Sequence, residues 1–236
     1  MDGMNSAEGR RVAGRILHWP AITCVFCVPA LFAIAGPLST PDARQRRVAP
    51  PAARHPTALE QAVLDEINWA RTHPGQVADY LDKTIAPLFL LENKEAFKDE
   101  PTTRAPLPEE HGLYRTTQEG LGLVRETAAW LRAQRPRPAV EWNDALGRMA
   151  DALVTLQGPS GEMGHDRHGI DWMSQASGLD PRLVCCGETN SYGSADPRTI
   201  VIDLIVDDGV PSRGHRATMF DVRKGYNIVG IAVGPH

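Results

Sequence analysis

Apolar residues in this chain recur at helical spacing through most of its length. From Thr57 onward, Leu59, Val63, Ile67 and Ala70 fall on one helix face, the arrangement of a buried stripe. Thr57 and Glu60 ahead of that stripe form a capping-box pattern, in which each side chain satisfies a backbone donor at the helix start. Thr72-His73-Pro74-Gly75 interrupts the helix, and Val77, Tyr80 and Leu81 mark a short second one. The stretch from Ile85 to Leu113 carries prolines and charges without a clear period, as a long surface excursion does. Thr116 and Glu119 repeat the capping pattern before Leu121, Val124, Ala128 and Leu131, and Arg135-Pro136-Arg137-Pro138 ends that helix. Asn143 is a good N-cap for an amphipathic helix through Leu146, Met149, Ala150, Leu153 and Val154. Gly158-Pro159-Ser160-Gly161 closes it. A further helix opens at Asp196-Pro197 and buries Ile200, Val201, Leu204 and Ile205. Leu183 to Cys185 and Tyr226 to Val233 have the β-branched content of strands. The pattern predicts an α+β domain in which helices dominate and the sheet is small.

The N-terminal region follows neither period. Arg10, Arg11 and Arg15 precede an apolar run from Ile16 to Ala35 that ends in Ala33-Ile34-Ala35. A basic segment, an apolar core and a small-residue site are the layout of a secretory signal peptide, here residues 1–35. The alternative is an uncleaved signal-anchor, against which stand His18, Pro20 and Pro29 within the run. A secreted, periplasmic or extracellular location is therefore expected, with membrane attachment only through an uncleaved anchor. Residues 36–56, rich in Pro, Ala and Arg, read as a flexible tether, and the domain spans 57–236. On that reading Cys24 and Cys27 leave with the signal. Cys185 and Cys186 are neighbours, a disulfide between them would need a strained ring, and two free thiols, or one of them paired elsewhere, are expected.

Composition narrows the function classes. The 236 residues carry a formal charge of -4 and 23% charged residues, with no basic stripe for nucleic acid. Motifs of the zincin, nucleophile-elbow, P-loop and dinucleotide kinds are absent from the sequence.

Ligand-competent side chains crowd the C-terminal third. His165 and His168 lie in a glycine-bounded loop, Glu188 follows Gly187, Asp207-Asp208 precede Gly209, and His215 follows Gly214. Imidazoles with carboxylates suit a borderline divalent ion such as zinc, or a hydrogen-bonded acid–base pair. Each has a plainer reading. A loop histidine can be a surface or capping residue, and the two aspartates can shape the turn at Gly209. Arg213 and Arg216 could simply satisfy those aspartates.

The segment from Ile202 to Arg216, followed by Val229-Gly230, resembles the CAP superfamily, in particular its bacterial SCP-like branch. Ile67-Asn68-Trp69-Ala70-Arg71, Gly164-His165-Asp166 and Gly187-Glu188 support the likeness, which runs from about Leu59 to His236. The resemblance implies a three-layer α-β-α sandwich with a small, mainly antiparallel sheet. It also implies a cleft of His165, Glu188, Asp207 and His215, with Asp208 and His168 as alternates. In such a cleft the two histidines can hold a divalent metal, zinc first, while sterol or fatty-acid ligands use other grooves. Asp207 stands where the family usually has Glu, and Gly187-Glu188-Thr189 replaces Gly-Glu-Asn. A further strand is usual after Val229-Gly230; its lack would leave a sheet edge unpaired and the domain marginally stable. The resemblance implies a secreted binding module for a small apolar molecule or cell-envelope component. A metal-assisted hydrolase, with Glu188 or Asp207 as base, and a purely structural His/carboxylate network are the alternatives.

Overall fold

The computed structural model describes residues 20–29, 53–92, 104–106, 114–220 and 224–236. The elements in chain order are β1 (Pro20–Pro29), α1 (Ala58–Thr72), α2 (Pro74–Tyr80), a π-helical turn (Leu81–Ile85) and α3 (Ala86–Glu92). There follow β2 (Arg104–Pro106), β3 (Tyr114–Thr116), α4 (Gly120–Arg132), β4 (Glu141–Trp142) and α5 (Asp144–Gln157). The last five are α6 (Trp172–Leu179), β5 (Leu183–Tyr192), α7 (Pro197–Val206), α8 (Gly214–Phe220) and β6 (Ile228–Pro235), with β5 and β6 the long strands among them. The fold is α+β, with a mixed four-stranded sheet in the order β4-β6-β1-β5. β1 runs antiparallel to both β5 and β6, and β4 lies parallel to β6.

Several helix starts follow from the sequence. The Thr57–Glu60 capping box is formed, Asn143 accepts from the Leu146 amide, and Asp196 accepts from the Thr199 amide. The second expected box is not formed. Thr116 belongs to β3, and α4 begins at Gly120 with Glu119 as an N-cap whose side chain makes no capping bond. Asp208 of a distant loop accepts from the Gln118 and Glu119 amides at 2.8 and 2.9 Å instead. The amides of the N-cap and of the residue before it are thus satisfied by tertiary structure. The surface excursion after Ile85 is partly helical, since α3 continues from the π-turn.

The largest departure concerns the N-terminus. The apolar run expected to leave as a signal core supplies β1, an inner strand of the sheet. Ile22, Cys24, Val25, Phe26 and Cys27 are all fully buried. Ile22, Cys24 and Phe26 pack into one cluster with residues of α1, α2, α4 and α7, while Val25 and Cys27 join α5 and α6 on the opposite face. A strand covered on both faces loses the polar alternation that identifies strands, so its sequence looks like a signal core. β6 gains an antiparallel neighbour from the N-terminal end, where the resemblance expects one after β6. The edge expected to lie open beside β6 is therefore covered. Cys186 is bonded to Cys27, a partner expected to have left with the signal; Cys24 and Cys185 are the free cysteines.

The expected tether also reaches into the fold. Arg54 pairs with Glu60 at 2.6 Å and with Asp151, and stacks its guanidinium 5.2 Å from the Trp142 ring. Among the described residues, no helix is long and apolar enough to cross a membrane.

Candidate functional site

The four cleft residues predicted from sequence come together around the edge of β5. Side chains alternate along a strand, so Cys186, Glu188, Asn190 and Tyr192 share the face covered by α5 and α6. Gly187 looks to the other face, where a Cβ would come within 2.8 Å of Thr218 and 2.9 Å of the Tyr226 hydroxyl. That close approach seats α8, and with it His215, against β5. Because β5 is an outer strand, groups from its two sides can meet beyond its edge. The His165 and His215 ring centroids are 6.0 Å apart.

One half of the cleft is a loop held on a strand. His165 Nδ1 lies 2.9 Å from Glu188 Oε1. The carboxylate accepts, so Nδ1 donates, and in the neutral ring Nε2 is the nitrogen with the lone pair. The other Glu188 oxygen accepts from Arg167, whose side chain is 3% exposed against 6% for Glu188. Burial pulls the Arg167 guanidinium below the usual arginine value, and the charge of Glu188 opposes that shift. Arg167 Nε is a buried donor with no hydrogen-bond partner. The loop backbone is fixed independently. The Gly164 amide donates to the Tyr192 hydroxyl at 2.9 Å, and its carbonyl accepts from Asn190 at 2.7 Å and Gln157 at 3.1 Å. Gly164 sits at φ +101°, where a side chain would be strained.

The other half is a junction between two helices. Asp207 ends α7 in the left-handed region, φ 60°. There its carboxylate accepts from the His215 amide at 3.0 Å and the Arg216 amide at 3.3 Å, and from His215 Nδ1 at 2.8 Å. The methylene missing relative to Glu is no handicap at this corner, because the acceptor sits within the same turn as the ring it orients.

The alternates are placed elsewhere. Asp208 serves α4 as described, and His168 turns out of the cleft to Glu162 at 2.6 Å. The flanking arginines do not pair with the aspartate side chains either. Arg213 bonds Glu119 at 2.6 Å, and Arg216 bonds Glu126, Thr127 and the carbonyls of Ile205 and Val206. Arg167 is the site residue that sequence reasoning missed. Its only signal was a charged residue inside the glycine-bounded loop beside His165.

The layering of charge is clear. The carboxylates lie underneath, at 6% and 0% exposure, and the imidazoles above, at 55% for His165 and 20% for His215. A cavity of about 230 Å³ lined by His165, Trp172 and Glu188 opens beside them. That volume is small for a drug-sized or lipid ligand, for which pockets of about 300–1,000 Å³ are usual. It suits an ion, water or a small polar group. Among the described residues, no group of three or more His, Cys, Asp or Glu side chains is arranged to hold a metal ion. Comparison with protein-family models, curated proteins and solved structures finds no match to this chain.

Proposed function

We propose that the chain is a CAP-like binding module of the α-β-α sandwich kind, whose cleft offers two oriented imidazoles to a divalent cation, zinc first. The reading is carried by one observation: His165 and His215 each have Nδ1 engaged by a buried carboxylate. A carboxylate behind a histidine fixes its tautomer and raises the basicity of the free nitrogen, the usual support for a metal-binding imidazole. The fit is limited to His165 and His215. Glu188 is taken up by Arg167 and Asp207 by two backbone amides, so neither is a spare ligand. A seat with two protein nitrogens leaves zinc's remaining positions to water or an exogenous group, and holds the ion more loosely than a closed site. A polar ligand could complete the coordination.

Hydrolysis has less to draw on, because both carboxylates that could act as base are already committed. The structural-network reading is favoured by that same commitment and is the competitor the test must address. Zinc titrated into the full chain should release or absorb heat and raise the melting temperature, and His215→Ala should lose both responses. At a free zinc concentration of about 100 times Kd the stabilisation is about 2.7 kcal/mol. No heat and no shift in the parent protein, with a large loss of stability in His215→Ala, would leave the network reading standing. Turnover of a peptide or ester library that disappears in Glu188→Gln would favour the hydrolase.

A further inference from the structure

The strand β1 raises a question that its neighbours answer. Its described side chains are apolar apart from Thr23, which is itself buried, and both faces are covered. A strand with one polar face has its register fixed by that face; a strand apolar on both faces does not, since a one-residue slip merely trades one apolar set for another. Something specific has to choose the register. Cys27 stands opposite Cys186 on β5, while Val28 stands opposite Cys185 and Cys24 opposite Thr189. A slip of one residue would bring Cys27 opposite Cys185 and turn both β1 faces over. The Cys27–Cys186 bond, spanning 159 residues of sequence, excludes that slip. Glu188 lies two residues beyond Cys186 on the same face of β5, and its backbone pairs with Val25 of β1.

We propose that the N-terminal strand is retained in the finished protein, and that the Cys27–Cys186 disulfide pins its register against β5 and so sets the position of Glu188 in the cleft. Bond formation takes two thiols to one disulfide. Two electrons and two protons pass to a disulfide oxidant, which leaves as two thiols. Cys24 does not compete, because it faces the opposite cluster and burial pushes its thiol up to about 12, keeping it protonated. Once formed, the bond is sheltered: Cys27 is fully buried and Cys186 is 5% exposed, so reductants reach it only when the strand opens. The inference concerns β1 and β5 alone and stands whether or not the cleft binds zinc.

The test uses the full chain, folded under oxidising conditions. Free thiols are alkylated after denaturation, and a non-reducing digest is read by mass spectrometry. The expected result is a Cys27 peptide joined to a Cys186 peptide, with Cys24 and Cys185 alkylated. A folded protein that begins beyond Pro29, a Cys27–Cys185 or Cys185–Cys186 bond, or an alkylated Cys27 overturns the proposal. The register function is read by amide exchange. In Cys27→Ser/Cys186→Ser, amides around Glu188 should exchange at least about tenfold faster, and the melting temperature should fall by roughly 5–10 °C. Where the double variant does not fold, the parent is reduced by a dithiol in urea, where the strand opens, its thiols are blocked by a small alkylating agent, and exchange is read after the urea is removed. Unchanged exchange around Glu188 after loss of the bond overturns the register role.

Discussion

The two halves of the cleft present the same chemistry on different foundations. His215 and Asp207 are eight positions apart, and their bond belongs to a helix–turn–helix junction that also caps α8. His165 and Glu188 are 23 positions apart. They meet only because a loop is tied down by Tyr192, Asn190 and Gln157, and because β5 is held beside β1. The first half is local and self-contained. The second integrates the sheet, the N-terminal strand and a buried arginine, so it should be the half that perturbations reach first.

The largest effect should come from separating Arg167 and Glu188. Their ion pair is buried on both sides, and removing one member leaves a charge without its partner or water. Breaking such a pair costs about 3–5 kcal/mol. Arg167→Ala should lower stability by that order in a urea titration. Arg167→Met with Glu188→Gln, which removes both charges, should recover much of the loss. If the single variant loses under about 1 kcal/mol, the His165 half is not built on this pair. The His215 half should hold its geometry in Arg167→Ala, visible as an unchanged His215 imidazole resonance while that of His165 moves.

That contrast also explains what could be read from the chain. The helices with local signals were legible: Thr57, Asn143 and Asp196 cap as their positions imply. Residue chemistry marked only a cluster of histidines and acids beside glycines, and the resemblance supplied the membership of the cleft; Gly187, which reads as a strand end, lies within β5. Arg167 was not legible, since its partner is remote in sequence and an arginine between two histidines reads as solvated. β1 was hidden for a different reason. Burial on both faces erased its alternation, and a ten-residue strand with Thr23 as its one polar side chain, behind three arginines, has the composition of a signal core. Its cysteine pairing was hidden with it. The failed capping box at Thr116 shows the same limit, as α4 draws its cap from Asp208, about ninety residues on.

An intermediate effect belongs to Asp207. Replacing it by Ala removes three accepted hydrogen bonds and leaves an alanine at positive φ. Loss of the buried bonds costs about 1–3 kcal/mol, and the left-handed backbone adds about 1–2 kcal/mol. Asp207→Asn should be nearly neutral to stability, because asparagine tolerates that backbone region and its carbonyl can still cap α8. The pair of variants separates the roles of this corner. If Asn fails as badly as Ala, the negative charge beside His215 matters more than the cap. The His165 half should be little changed in either variant.

The smallest effect sharpens the comparison from the other side. The Tyr192 hydroxyl donates to Gln157 at 3.1 Å and accepts from the Gly164 amide at 2.9 Å, holding the loop that carries His165. Tyr192→Phe should cost about 0.5–1.5 kcal/mol and loosen His165 while sparing His215. Burial holds the phenol above its ordinary value, opposed by the hydrogen bond with the Gly164 backbone and helped by a smaller push from the charge of Glu188. The folded protein therefore keeps this proton when the unfolded chain begins to lose it near pH 10. Between that pH and the higher folded value the native state binds more protons, so stability falls as pH rises. Melting curves of the parent protein should drop through that alkaline window, and those of Tyr192→Phe should drop less. Equal slopes in the two proteins would mean that Tyr192 is not the group coupling the His165 loop to pH.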